Sequence, residues 1–154
     1  MLYPLSYEGP SSMLAAESEL RRPVISASVD PVTVLVIDDD PVILKLLKVN
    51  FEIEGFKVLS ALDGREGLAQ AKGQRPNVVI SDIMMPGLDG LQVLSALKDD
   101  PDTEDLPVIL LSARAQVADV QRGMELGADD YVTKPFDPLE LIDRVNAIVA
   151  GSRR

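Results

Sequence analysis

Short aliphatic runs alternate with longer amphipathic segments from Thr33 onward. The runs are rich in Val, Ile and Leu, which indicates strands, and three of them are apolar throughout, as in strands buried on both faces. The amphipathic segments have helical spacing and are bounded by proline and glycine. The pattern predicts strands at Thr33–Ile37, Lys57–Ala61, Asn77–Ser81, Pro107–Leu111 and Asp130–Thr133. It predicts helices at about Pro41–Glu54, Gly64–Lys72, Leu91–Lys98, Val117–Leu126 and Pro138–Val149.

The strands and helices alternate five times with short connections, which is typical of an α/β protein with a parallel sheet. Crossovers in such sheets are right-handed, so few topologies remain. The three apolar strands should be central, which favours the order 2-1-3-4-5. We therefore predict a doubly wound (βα)5 sandwich of the flavodoxin-like kind.

The segments that flank this pattern differ from it in composition. Residues 1–32 contain prolines at intervals and a weakly amphipathic stretch, Ser12–Arg22, that could form a short helix. We expect a flexible N-terminal arm, and a docking segment that folds against a partner or the domain is the alternative. The predicted domain spans residues 33–150, and residues 151–154 form a C-terminal tail.

Chemically active side chains stand at the carboxyl ends of four predicted strands. Asp38 and Asp39 follow the first strand, Asp82 follows the third, Ser112 follows the fourth and Lys134 follows the fifth. The carboxyl ends of parallel strands form one edge of a sheet, where ligands bind. The sequence therefore predicts that these residues converge on one pocket.

The predicted cluster of acids needs a counter-charge. Two carboxylates about 4 Å apart repel by roughly 4 kcal/mol at an effective dielectric of 20. Oxygen ligands suit a hard divalent ion, so Asp38 and Asp39 are candidate Mg²⁺ ligands, whereas Asp40 is better explained as a helix N-cap. Asp82 is a candidate nucleophile for a phosphoryl group. Lys134 would neutralise charge on that group and Ser112 would hydrogen-bond one of its oxygens.

Composition removes several classes of function. The chain has a formal net charge of −10 and no cysteine or histidine. Disulfides, thiolate nucleophiles, zinc-thiolate sites and histidine-dependent catalysis are therefore excluded. The acidic surface argues against direct binding of nucleic acid. The sequence contains no stretch of membrane-spanning length and no secretory signal pattern, so we expect no membrane partner and a cytoplasmic location.

Four motifs and the final amphipathic helix together resemble the receiver domain of response regulators in two-component signalling, the CheY-like superfamily. The motifs read VLVIDDD, VVISDIMMPGLDG, VILLSAR and GADDYVTKPF. The resemblance implies that Asp82 accepts a phosphoryl group from a sensor histidine kinase or a histidine phosphotransfer protein. It also implies Mg²⁺ as the cofactor, held by Asp38, Asp39, Asp82 and the backbone carbonyl of Met84.

The resemblance also implies a switch rather than an enzyme, with only self-catalysed phosphoryl transfer and autodephosphorylation. Ser112 and Lys134 would engage the phosphoryl group, and Lys134-Pro135 would be a cis peptide. On phosphorylation, Ser112 would move towards the phosphate and Tyr131 would rotate inward. The face made by the fourth helix, fifth strand and fifth helix would then change its contacts with a downstream protein target.

The oligomeric state implied by the resemblance is a monomer, with a phosphorylation-driven dimer left open. In the winged-helix subfamily the same face forms dimers, and Asp130, Arg144 and Glu140 match charged positions used there. Val120 stands where that subfamily has a basic residue, so the network of ion pairs would be incomplete.

Two other functions compete with the receiver interpretation. The spacing of Asp38 and Asp40 fits the D-x-D motif of haloacid-dehalogenase-like phosphatases, but Asp129-Asp130 precedes Lys134, which is the wrong order, and the domain has no room for a cap. A pseudo-receiver would keep the fold as an interaction module without being phosphorylated.

Overall fold

The computed structural model describes residues 30–152. Nearly all of the expected N-terminal arm, including the stretch Ser12–Arg22 that could form a short helix, lies outside these residues. The last two residues of the expected tail lie outside them as well. Within residues 30–152, no helix is both long and apolar enough to cross a membrane.

Strands and helices alternate along the whole described chain. The strands are β1 (Thr33–Ile37), β2 (Lys57–Ala61), β3 (Val78–Asp82), β4 (Val108–Ser112) and β5 (Asp130–Thr133). The helices are α1 (Pro41–Ile53), α2 (Gly64–Gln74), α3 (Gly90–Asp99), α4 (Val117–Glu125) and α5 (Pro138–Ser152).

The five strands form one parallel sheet in the order β2-β1-β3-β4-β5. The predicted doubly wound (βα)5 fold and its strand order are confirmed. In the register of the sheet, Asp82 at the end of β3 pairs with Leu111, and Ser112 at the end of β4 pairs with Thr133. The ends of these strands therefore lie side by side at one edge.

Strands β3 and β4 begin and end one residue later than predicted. The side-chain Oδ1 of Asn77 accepts a hydrogen bond from the backbone N–H of Thr33 at 2.7 Å, so this residue joins the sheet partly through its side chain. Strand β3 starts at Val78 and includes Asp82 as its last residue. Asp82 and Ser112 are thus held by the backbone ladder itself, which fixes them more firmly than a loop would.

Most helices end where the sequence predicts, but α2 and α5 extend further along the chain. Gly55 and Gly127 adopt positive φ angles of 93° and 109° where α1 and α4 end, as glycine stop signals require. Helix α2 continues through Gly73 and ends before Arg75, which takes the left-handed conformation instead (φ 49°, ψ 62°). Helix α5 continues past Val149 to Ser152.

The core consists of two aliphatic layers, one on each face of the sheet. Alternate residues of β1 supply both layers: Val34 and Val36 pack with α1 and α5, and Leu35 and Ile37 pack on the opposite face with α2 and α3. This alternation follows from the two-residue period of a strand. Because both faces are covered, ligands reach the sheet only at its edges and at the ends of its strands.

Candidate functional site

Three carboxylates meet where β1 and β3 end. Asp38, Asp39 and Asp82 each place one oxygen within 4.8 Å of the others. Asp38 and Asp82 are buried, and Asp39 is exposed. The predicted convergence of acids from two strand ends is therefore present in the fold.

The buried carboxylate of Asp38 is oriented by local hydrogen bonds. Its Oδ1 accepts from the backbone N–H of Asp40 at 2.9 Å, and its own N–H donates to the carbonyl of Ala61 at 3.1 Å. Asp40 in turn caps α1, because its Oδ1 accepts from the N–H of Val42 at 2.9 Å. Asp40 thus serves as the predicted helix cap, and the start of α1 fixes the turn that carries the acids.

Lys134 brings a positive charge into the cluster of acids. Its Nζ lies 3.0 Å from Oδ2 of Asp38 and 3.4 Å from Oδ1 of Asp82. Its backbone N–H donates to the carbonyl of Ser112 at 2.8 Å, and its peptide bond to Pro135 is cis, as the resemblance implied. The lysine from β5 therefore contacts acids from both β1 and β3.

The electrostatics of the site follow from burial and crowding. Burial raises the pKa of Asp82 above its ordinary value of 3.8, the charge of Asp38 adds to this effect, and Lys134 offsets part of it. Burial favours the neutral form of Lys134, but its hydrogen bond and charge interactions with Asp38 and Asp82 outweigh this and raise its pKa above 10.5. Lys134 therefore stays protonated, whereas the surroundings of Asp82 disfavour its charged form.

Ser112 and Tyr131 flank the loop that follows β4. The hydroxyl of Ser112 is fully buried and accepts a hydrogen bond from the backbone N–H of Arg114 at 3.1 Å. The hydroxyl of Tyr131 donates to the carbonyl of Arg114 at 2.7 Å, and its ring lies close to Gly123 in α4. Tyr131 is buried rather than at an exposed edge. Both side chains therefore hold the same backbone segment.

The donor set fits a hard divalent cation. The three carboxylates supply only oxygen, which is the ligand type that Mg²⁺ and Ca²⁺ prefer, and the chain has no cysteine or histidine to favour a softer metal. Met84 lies in the loop between β3 and α3, two residues beyond Asp82, with its side chain half exposed. Asp38, Asp39 and Asp82 could therefore hold Mg²⁺, with the exposed side of Asp39 open to water.

Gly90 is a positioning residue that the sequence analysis did not identify. A Cβ atom at this position would collide with the backbone carbonyl of Asp82 and come within 2.7 Å of the Cα of Ile83. The N–H of Gly90 also donates to the carbonyl of Ile83 at 3.0 Å. Its signal in the sequence is a glycine directly after Asp89. Because glycine has no side chain, α3 can begin in contact with the end of β3.

Three charged residues match the dimer face of the winged-helix subfamily. In this structure they form ion pairs within one molecule. Nη1 of Arg144 lies 2.9 Å from both carboxylate oxygens of Asp130, and Nη2 lies 3.2 Å from Oε2 of Glu140. The structure therefore joins β5 to α5 through these pairs, and they require no second subunit.

A parallel α/β sandwich that gathers acids, a serine and a lysine at one sheet edge has the layout of a two-component receiver domain. The sequence model of the response regulator receiver domain family matches residues 34–146, and the chain belongs to this family. This membership agrees with the four motifs and leaves the haloacid-dehalogenase alternative without support.

Known relatives and solved structures agree with this family. The chain is 42% identical over 121 residues to the DNA-binding dual master transcriptional regulator RpaA of Synechocystis, covering 79% of this chain and 50% of that protein. It is 41% identical over 119 residues to the regulatory protein PhoP for alkaline phosphatase synthesis in Bacillus subtilis, covering 77% of this chain and 49% of that protein. The chain thus spans about half the length of the curated relatives it matches.

Two solved structures have the same fold over nearly their entire length. The receiver domain of the Francisella response regulator 1452 is 39% identical with a TM-score of 0.75, covering 80% of this chain and 99% of that structure. The Vibrio cholerae chemotaxis protein CheY4 is 29% identical with a TM-score of 0.74, covering 77% and 99%. The family is therefore supported by both sequence and fold.

Proposed function

We propose that this receiver domain is a phosphorylation-dependent switch that accepts a phosphoryl group on Asp82. The donor would be the phosphohistidine of a sensor histidine kinase or of a histidine phosphotransfer protein. The observation that supports this most directly is the position of Lys134 Nζ, 3.4 Å from Asp82 and 3.0 Å from Asp38 in a buried cluster of acids. The acids Asp38, Asp39 and Asp82 would provide the metal ligands. Lys134 would provide the positive charge that phosphoryl transfer needs.

The transfer assigns a separate task to each side chain. A carboxylate oxygen of Asp82 forms a bond to phosphorus as the bond from phosphorus to the donor histidine nitrogen breaks. Lys134 and the hydroxyl of Ser112 bind phosphoryl oxygens. Mg²⁺, held by Asp38, Asp39, Asp82 and the Met84 carbonyl, would neutralise charge on the same oxygens. Apart from this transfer, the domain would catalyse only its own dephosphorylation, in which water attacks phosphorus and releases the group from Asp82 as phosphate.

The output of the switch is proposed to pass through the face formed by α4, β5 and α5. Ser112 accepts from the N–H of Arg114 and Tyr131 donates to the carbonyl of Arg114, so movement of Ser112 towards a phosphate would disturb the loop that leads into α4. An added charge of about −1.5 to −2 is enough to bias such an arrangement. The result would be a changed contact with a downstream protein.

The acidic character of residues 33–152 supports a protein target rather than nucleic acid. These residues carry the whole net charge of −10, which repels nucleic acid. RpaA is named as a DNA-binding regulator, but this chain matches only half of that protein. We propose that the receiver domain itself contacts proteins and not DNA, as a monomer before phosphorylation.

The test is the intact mass of the protein after incubation with Mg²⁺ and acetyl phosphate. We expect the gain of one phosphoryl group in the native chain and no gain in Asp82→Asn or with a chelator present. The variant Asp40→Asn is a matched control, because it removes a neighbouring acid but keeps a side chain that caps α1. It should still be phosphorylated.

The other outcomes distinguish the alternatives. If neither acetyl phosphate nor any purified phosphohistidine protein adds a phosphoryl group, the domain is a pseudo-receiver and the proposal is wrong. Steady hydrolysis of a small phosphomonoester that is lost in Asp38→Asn but kept in Asp82→Asn would indicate a phosphatase.

A further inference from the structure

The loop between β3 and α3 is closed at its base by one carbonyl group. The carbonyl of Ile83 accepts hydrogen bonds from the N–H groups of Met85 and Gly90, both at 3.0 Å. The side chains of Ile83 and Met85 are buried, whereas Met84 between them is half exposed. The two ends of the loop are therefore fixed close to Asp82, and its outer part needs support from elsewhere in the fold.

That support comes from the first turn of α2. A Cβ atom added to Gly64 would lie 2.6 Å from the carbonyl oxygen of Leu88 and 2.9 Å from its Cβ, which is too close for either pair of atoms. It would also lie 3.0 Å from Cγ2 of Val93 in α3. Leu88 is partly buried against the core layer on this face of the sheet. The outer part of the loop thus lies directly against the backbone of Gly64.

Close packing, and not backbone conformation, explains the glycine at this position. Gly64 does not take a positive φ angle, unlike Gly87 in the loop itself, which has a φ of 76°. Other residues could therefore adopt the backbone conformation of Gly64. What requires glycine here is the space that Leu88 occupies.

The first turn of α2 is itself held by two side chains. Oδ1 of Asp63 accepts a hydrogen bond from the N–H of Glu66 at 2.8 Å, and Oε1 of Glu66 accepts from the N–H of Leu62 at 3.0 Å. Just before this turn, the carbonyl of Ala61 accepts from the N–H of Asp38 at 3.1 Å. The connection from β2 to α2 therefore contacts the end of β1, which leads into the acids, as well as the loop that follows β3.

We propose that Gly64 is a positioning residue for the candidate Mg²⁺ site. Its missing side chain lets the loop that carries Met84 lie against α2, and this contact holds the loop in place beside the acids that follow β1. The inference rests on the proposed function, in which the Met84 carbonyl is one of the ligands. Residues outside the ligand set commonly control metal affinity by fixing the orientation of the ligands. Gly64 acts on the site only through the loop.

The variant Gly64→Ala tests the proposal in the full chain with two measurements. In EDTA, amide hydrogen exchange should become faster at residues 84–89, because the added methyl group displaces the loop. Isothermal titration with Mg²⁺ should show an affinity about tenfold weaker than that of the native chain. Urea unfolding gives the fraction of folded protein, so the affinity can be corrected for any loss of stability. A merely structural role would lower the stability and leave the corrected affinity unchanged.

A second variant, Leu88→Ala, removes the same contact without a collision. The loop loses the side chain that packs beside α2, so its exchange should become faster and the affinity for Mg²⁺ should fall. The matched control is Leu106→Ala, which removes a partly buried leucine from the same core layer at the opposite edge of the sheet. It should keep the native affinity and the native exchange of the loop.

Two further variants separate support of the loop from other effects. Gly73→Ala adds a methyl group to the same helix where a Cβ meets nothing within 4 Å, and it should change neither measurement. Asp39→Asn should weaken Mg²⁺ binding but leave the exchange of the loop unchanged, because it removes a carboxylate of the cluster and not the support of the loop.

The outcomes distinguish failure of this inference from failure of the proposed switch. Native Mg²⁺ affinity or native loop exchange in Gly64→Ala overturns the positioning role. If that variant does not fold, the same results in Leu88→Ala overturn it. A native chain that neither binds Mg²⁺ nor gains a phosphoryl group contradicts the proposed function itself, and the positioning role of Gly64 is then wrong as well.

Discussion

The Nζ atom of Lys134 lies 3.0 Å from Oδ2 of Asp38, joining residues that are 96 positions apart in the chain. Strands β3 and β4 lie between the strands that carry them. The lysine side chain thus reaches across the end of the sheet to a carboxylate that is almost completely buried. Because Lys134 Nζ also lies 3.4 Å from Oδ1 of Asp82, its positive charge offsets the repulsion between these two carboxylates.

Replacing Lys134 by Gln should destabilise the fold. The change leaves Asp38 buried without its cation, and breaking a buried ion pair costs about 3 kcal/mol of unfolding free energy. The pKa of Lys134 is raised in the folded state, so its contribution is complete below pH 10.5 and declines only as the pH rises through the higher folded value. Urea unfolding at pH 7 should show the full loss.

The matched control for this measurement is Lys57→Gln. Lys57 is an exposed lysine in β2, and its replacement should change the unfolding free energy by less than about 0.5 kcal/mol. Equal losses in the two variants would show that the Lys134–Asp38 contact is not important for stability.

Asp82→Asn should stabilise the metal-free protein. The pKa of Asp82 is raised by burial and by Asp38, which means that the folded state disfavours its ionised form. This penalty is absent below pH 3.8, grows as the pH rises and is complete above the raised folded pKa. We expect a gain on the order of 1 kcal/mol at pH 7, or about 4 °C in the melting midpoint. The gain should disappear as the pH falls towards 4.

Thermal melts in EDTA across this pH range provide the measurement. A midpoint that falls at neutral pH in Asp82→Asn would mean that the contact of Asp82 with Lys134 outweighs both the burial of Asp82 and its repulsion from Asp38. The balance of charges described above would then be wrong.

The fold was predictable because its signals are local and repeated. Aliphatic runs such as Val34–Ile37 indicate strands buried on both faces, and Gly55 and Gly127 mark helix ends. The convergence of Asp38 and Asp82 required only the rule that parallel strands end at one edge. The resemblance to the receiver family added the cis bond at Lys134, which no local pattern determines.

Contacts that depend on the exact approach of two elements, or on the path of a loop, could not be predicted from the sequence. The role of Gly90 depends on how closely α3 approaches the end of β3, and the bond from Tyr131 to Arg114 depends on the path of a loop. The sequence also did not show which apolar residues of α1 face the core, because the helix is apolar on two sides. Only the packed structure shows that Leu47 is inside and Leu46 outside.

Mg²⁺ should stabilise the protein through the cluster of acids. A ligand that binds only the folded state at ten times its dissociation constant adds about 1.4 kcal/mol, which raises the melting midpoint by roughly 4 °C. Asp39→Asn should remove most of this shift, because the exposed Asp39 carboxylate is part of the cluster but makes little contribution to the core.

Asp40→Asn is the control for the Mg²⁺ titration. It removes the same charge one residue further along the chain while keeping a side chain that caps α1. If the two variants lose the Mg²⁺ shift equally, the ion responds to the general negative charge of the surface and is not held by the cluster.

Gly90→Ala should disrupt the end of β3. The added methyl group would collide with the carbonyl of Asp82, and backbone atoms cannot move aside as a flexible side chain can. We expect a loss of roughly 3 kcal/mol in urea unfolding. Gly73→Ala in α2 is the matched control, because a Cβ there meets nothing within 4 Å and alanine favours the helix by up to about 1 kcal/mol. A loss of similar size in both variants would contradict the close approach at Gly90.

Tyr131→Phe should loosen the loop after β4 without unfolding the domain. The change removes only the hydroxyl that donates to the Arg114 carbonyl at 2.7 Å, and a single hydrogen bond contributes about 1 kcal/mol. Because the N–H of Arg114 bonds to Ser112, the loss should spread to this serine. Amide hydrogen exchange should become faster at residues 113–116 and stay unchanged in β1, which is buried far from the loop in the chain. Unchanged exchange in the loop would show that Tyr131 is held by its ring alone, and the proposed link from Ser112 to the α4 face would lose its physical basis.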